Sequence, residues 1–119
     1  MSLVMKMRVR ILCAILGVCV LAPSLPARAG QASGVITNLI VRDADGLVYV
    51  YLSGAPSGRP ACASATVYWM IRDENSETGK KTYAALLAAQ LAGRNVTIYG
   101  ANTCLRWGDG EDISGVVVS

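Results

Sequence analysis

Apolar and polar positions along this chain follow two periods, and the switch between them orders its elements. Gly34 to Arg42 (GVITNLIVR) is rich in β-branched residues and runs into Asp43-Ala44-Asp45-Gly46, which predicts a strand ending in a turn. Leu47 to Ser53 (LVYVYLS) then alternates strictly, with Val48, Val50 and Leu52 on one face and Tyr49 and Tyr51 on the other, so the two segments predict a hairpin. Gly54 to Pro60 (GAPSGRP) has the composition of a loop. Thr66 to Arg72 (TVYWMIR) predicts a third strand, with Val67, Trp69 and Ile71 opposed to Tyr68 and Met70.

The period then lengthens to 3.6. Ser76 or Thr78 can cap a helix that runs to about Ala92 and stops at Gly93. Leu86, Gln90, Tyr83, Leu87 and Leu91 share one side, which predicts the core face. Ala84, Ala85, Ala88, Ala89 and Ala92 share the other, and no charge falls between Thr82 and Gly93. Two accounts fit that alanine face: exposed alanine is a good helix former, or small residues admit a second helix. Asn95 to Tyr99 (NVTIY) and Ile113 to Val118 (ISGVVV) predict the last two strands. The class is mainly β with one helix, and the order of three strands, one helix and two strands is that of the OB-fold, a small five-stranded barrel.

Ahead of these elements, Lys6, Arg8 and Arg10 precede an apolar run from Ile11 to Ala22, then Pro23, Pro26 and Ala27-Arg28-Ala29. This is the layout of a cleaved secretory signal over residues 1–29. The run is shorter than the roughly twenty residues a membrane-spanning helix needs, so no permanent span is expected. Val18 before Cys19 does not suit lipoprotein cleavage. A single domain of about 90 residues, 30–119, is expected in the periplasm or medium.

The signal accounts for the basic balance. The chain carries a net charge of +3, but four of its eleven basic residues, Lys6, Arg8, Arg10 and Arg28, lie within the signal. The domain keeps seven against eight acidic residues, which removes the charge argument for nucleic acid. Cys13 and Cys19 leave in the same way, and Cys62 with Cys104 most simply form one disulfide in an exported chain. Closing so long a loop corresponds to roughly 4 kcal/mol in the chain-entropy description.

Histidine is absent, so Ser-His-Asp triads, Cys-His pairs and histidine metal sites are excluded. Asp109, Glu111 and Asp112 lack the spacing of a calcium loop, and the simplest reading of Gly108 to Asp112 is a solvated turn into the final strand. No metal and no cofactor are expected. Asn95-Val96-Thr97 fits a glycosylation sequon but falls on a predicted strand. Trp69, on an alternating strand, reads as core. Trp107, in a polar loop beside Arg106 and close to Cys104, reads equally as packing or as a ligand platform held rigid by the disulfide.

Arg59-Pro60-Ala61-Cys62-Ala63, the segment YAALLAAQLAGRNVTIYG and the following Cys104 resemble the B subunits of subtilase-cytotoxin-like and related pertussis-like toxins. The runs TGKKTYAALLAAQ and CLRWGDGEDI are also similar to small exported bacterial proteins of unassigned function. The toxin resemblance implies an OB-fold homopentamer that binds host glycans and can accompany a catalytic A subunit. It matches Ser33 to a serine central to sialic-acid binding and Tyr99 to a later tyrosine. The acidic partner after the second strand has no equivalent in LSGAPSGRP. Helices line the pore of such rings, which would give the alanine face a partner.

The expected protein is therefore an exported, non-catalytic, glycan-binding module that forms oligomers, with Ser33, Tyr99, Arg106 and Trp107 as ligand contacts. The alternatives are a small exported protein that binds another exported protein, and a carboxylate enzyme using Asp109 and Glu111.

Overall fold

The computed structural model describes residues 29–119. The signal reading therefore lies outside the described residues, apart from Ala29. The elements are β1 (Gln31–Val41), β2 (Val48–Leu52), a 3-10 turn (Ala61–Ala63), β3 (Trp69–Met70), α1 (Glu77–Ala92), β4 (Asn95–Gly100) and β5 (Glu111–Val118). The strands close into a five-stranded barrel of the OB-fold type in the order β1-β2-β3-β5-β4. All neighbours are antiparallel except β3 and β5, which run parallel.

β1 is long enough to serve two partners. Its first half pairs with β4, from Gln31↔Tyr99 to Val35↔Asn95, and its second half pairs with β2, from Ile36↔Leu52 to Val41↔Val48. An irregularity between Ile36 and Asn38 lies where β1 passes between them, and such bulges bend a strand enough to help close a barrel. The alternation read from LVYVYLS holds: Val48 and Val50 are buried in the core while Tyr49 and Tyr51 are half-buried on the outer face.

The third strand is shorter than its composition predicts. Only Trp69 and Met70 pair as a strand, because the Arg59 guanidinium takes the carbonyls of Thr66 and Tyr68. Simple alternation fails here too. Trp69, Met70 and Ile71 are all buried, and Val67 is 55% exposed. Trp69 faces the core. Met70, on the other side, is covered by the β4–β5 loop, where a Cβ on Gly110 would lie 2.7 Å from the Met70 side chain.

Helix α1 is capped by Ser76, the first of the two candidates, whose Oγ accepts from the Gly79 amide at 2.9 Å. It ends at Gly93, whose φ of 63° is the left-handed conformation that favours glycine. The face it buries differs from the periodic reading. Leu86 and Ala89 enter the core with Tyr83 beside them, whereas Leu91 is 80% exposed. Ala89 therefore cannot serve as an oligomer contact, and Ala85 is half-buried; Ala84, Ala88 and Ala92 stay exposed. The reason is that α1 is apolar all round from Tyr83 to Ala92, apart from Gln90, so hydropathy could not choose a face. Packing against β1, β4 and β5 chose the side on which a small Ala89 lets the backbone approach.

Most of the acidic run is buried where a solvated turn was expected. β5 starts at Glu111, and Glu111 and Asp112 are wholly buried instead of standing in a solvated turn. The turn itself is confined to Trp107–Gly110, which are bridged to each other. Cys62 and Cys104 are disulfide-bonded with Cα atoms 6.3 Å apart.

Candidate functional site

Two features of the barrel bring chemistry together. The first is an aromatic cleft on the outer face of β2 and β3. Alternation turns Tyr49 and Tyr51 outward, and Tyr68 stands beside them just before β3. The three rings meet edge to face, with centroids 5.6 to 6.1 Å apart. Trp107 closes the cleft from the β4–β5 loop and Arg42 from the end of β1, with the Arg42 guanidinium carbon 4.5 Å from the centre of the Trp107 ring. With Leu47 and Met70 these residues line a cavity of about 130 Å³.

The charges around the cleft are paired. Arg42 donates to both carboxylate oxygens of Asp45, an arrangement that holds Asp45 down at about 2 and raises Arg42. Tyr68 Oη donates to Asp109, and burial followed by that hydrogen bond pushes the phenol up to about 12. Arg106 donates to Glu74 at 2.9 and 3.1 Å and to the Asp45 carbonyl at 3.1 Å. The result is an aromatic surface with fixed hydrogen-bonding groups and little net charge, which suits the apolar faces and hydroxyls of a neutral ligand better than a polyanion.

The loop that carries Trp107 is firmly anchored. Asp112, on the outer side of β5 beneath the loop, accepts from the Thr103 hydroxyl at 2.6 Å and from the Leu105 and Arg106 amides at 2.8 and 3.2 Å. The disulfide at Cys104 adds a covalent tie to residue 62.

The second feature is the interior position of Glu111, which pairs with Trp69 across the parallel β3–β5 ladder. Its Oε2 accepts from the Gly30 amide at 2.9 Å and the Asn102 amide at 3.0 Å. Arg59 Nε lies 3.6 Å from Oε1, while the guanidinium stacks on Trp69 at 4.5 Å. Burial lowers Arg59, opposed by the Glu111 charge. Glu111 Oε1, Arg59 Nε and Trp69 Nε1 are buried without a hydrogen-bond partner among the described residues. Glycine is required on two sides, since a Cβ on Gly30 or Gly100 would lie 2.2 or 1.9 Å from a Glu111 oxygen.

The four predicted contacts separate into two places. Trp107 belongs to the aromatic cleft. Arg106 does not present a free guanidinium, being engaged by Glu74 and the Asp45 carbonyl. Ser33 and Tyr99 lie elsewhere, on the exposed face of the β1–β4 ladder, where Ser33 Oγ is 2.9 Å from Thr97 Oγ1 and Tyr99 is 44% exposed. Tyr49, Tyr51, Tyr68 and Arg42 were not singled out from the sequence. The signal that could have found them was the shared face of Tyr49 and Tyr51 opposite two core valines. Glu111 faces the interior, so it does not stand opposite Asp109 as a pair flanking a substrate.

No group of three or more metal-ligating side chains occurs among the described residues, and no helix among them is long and apolar enough to cross a membrane. No family model, curated protein or solved structure matches the chain. The fold and the site together define a small disulfide-linked β-barrel with an anchored aromatic cleft on one face.

Proposed function

We propose that this protein is an exported, non-catalytic carbohydrate-binding module that receives its ligand in the cleft of Tyr49, Tyr51, Tyr68 and Trp107. One observation carries the reading: four aromatic side chains from three separate segments converge on one cavity, bordered by the acidic side chains of Asp45 and Asp109. Aromatic faces take the C–H surfaces of a pyranose, and carboxylates accept from its hydroxyls. The position supports the same reading, because strands 2 and 3 with the β1–β2 and β4–β5 loops form the face on which OB-folds hold oligosaccharides or oligonucleotides. The paired charges favour the sugar.

The toxin-subunit resemblance would place the ligand at Ser33 and Tyr99 instead, so a single experiment separates the two surfaces. Glycan-array screening of the exported protein is expected to identify a ligand whose binding falls at least tenfold in Trp107→Ala and stays unchanged in Ser33→Ala. The reverse pattern would move the site to the β1–β4 face, and no bound glycan would remove the carbohydrate reading.

Self-association through the exposed stripe of Ala84, Ala88, Leu91 and Ala92 completes the proposal, since this stripe carries no charge and leaves Leu91 in solvent. Light scattering is expected to show an oligomer that Leu91→Glu dissociates. A monomeric wild type would return the alanines to their role as helix formers.

A further inference from the structure

We infer that processing between Ala29 and Gly30 creates an α-ammonium group for which the interior carboxylate of Glu111 is the preformed partner. The inference rests on the export reading above and adds a site to it. Ala27-Arg28-Ala29 presents small residues at both positions that a leader peptidase reads, which puts the scissile bond directly before Gly30. In the folded chain Ala29 is exposed while Gly30 is buried, so that bond lies at the boundary between surface and interior.

The nitrogen that cleavage would free is already in place. Gly30 N donates to Glu111 Oε2 at 2.9 Å, and the Gly30 carbonyl accepts from the Gly100 amide at 2.8 Å. Its neighbour Gln31 exchanges two backbone hydrogen bonds with Ser57. Position 30 therefore stays fixed whether or not residues precede it. Hydrolysis adds one water across the peptide bond: Ala29 leaves as a carboxylate, and Gly30 N becomes an ammonium with donors to spare.

Glu111 has an acceptor waiting. It is wholly buried, its Oε1 lacks a hydrogen-bond partner among the described residues, and its one cation, Arg59, approaches no closer than 3.6 Å. Buried charges normally require better pairing than this. The groups facing position 30 are Glu111 from β5, Arg59 from the β2–β3 connection, and the uncharged Trp69 and Gly100. Among the described residues the like charge at position 30 is Arg59, and it is drawn aside by the carbonyls of Thr66 and Tyr68 and by the Trp69 ring.

The experiment uses the full chain, exported by a bacterial host. Intact mass of the product is expected to correspond to a chain beginning at Gly30. Retention of residues 1–29 would overturn both export and this inference, while cleavage at another bond would overturn this inference alone. The pH dependence of α-amine acylation is then compared in the native and denaturant-unfolded product. The unfolded amine is expected near its ordinary value of about 7.7 to 8.0, and the native one above it, with acylation at neutral pH slowed about tenfold for each unit of the difference. A native value at or below the unfolded one overturns the pairing. Glu111→Gln is expected to return the amine to its ordinary value; where that variant does not fold, the native-against-unfolded comparison in the wild type decides.

Discussion

Thr103 donates its hydroxyl proton to Asp112 at 2.6 Å, closing the segment 104–111 that holds the disulfide cysteine, Arg106 and Trp107. Asp112 thus acts as the internal anchor of the loop that closes the aromatic cleft. Asp112→Ala would leave the Thr103 hydroxyl and two amides without their acceptor. The expected loss is roughly 2 to 4 kcal/mol of stability by denaturant unfolding, below three full penalties of about 1 to 3 kcal/mol each because the donors are only part-buried and solvent can satisfy some of them. Asp112→Asn keeps an acceptor and is expected to lose less. Equal losses in the two variants would show that the charge matters more than the hydrogen bonds.

The two faces of α1 make opposite predictions at Leu86 and Leu91. Leu86 is fully buried, so Leu86→Ala is expected to destabilise by about 2 to 5 kcal/mol through lost contacts and the cavity left behind. Leu91 is 80% exposed, and Leu91→Ser is expected to change the unfolding free energy of the isolated subunit by less than about 1 kcal/mol. Comparable losses at the two positions would restore the periodic assignment of the helix face.

Tyr68 provides a pH test of the cleft. Its phenol is raised to about 12, first by burial and then by donating to Asp109. A raised value means that the fold favours the protonated form. The associated stability is therefore complete below the ordinary tyrosine value of about 10 and is lost as pH climbs through about 12. Ultraviolet titration of phenolate is expected to show one late-ionising tyrosine that disappears in Tyr68→Phe. Absence of a late component in the wild type would contradict the Tyr68–Asp109 contact.

Reduction of Cys62–Cys104 releases a cross-link between residues 42 apart. The chain-entropy description gives a loss of about 4 kcal/mol, checked by denaturant unfolding with and without reductant. Because the bond adjoins Leu105 and Trp107, glycan binding is expected to weaken alongside stability. Full affinity in the reduced, folded protein would leave Asp112 as the sufficient anchor.

Local chemistry was enough for several features. The alternation at Val48–Leu52 separates two core valines from two outward tyrosines within a single strand, and no other part of the chain is needed to see it. Gly93 marks the end of the helix through its backbone, Ser76 and Thr78 narrow its start to one of two caps, and two cysteines in the expected domain leave one intramolecular pairing. What depended on the tertiary structure was which face of an all-apolar helix became buried and what became of each charge in CLRWGDGED. Leu91 was left in solvent because the barrel accepted Ala89. Glu111 entered the interior because Gly30, 81 residues earlier, supplied an amide there and Arg59 a cation, while Arg106 turned to Glu74, and Trp107 joined three tyrosines from distant segments. Periodicity describes one element at a time, whereas the burial of a carboxylate or the meeting of aromatic rings depends on partners that are adjacent only after the barrel has closed.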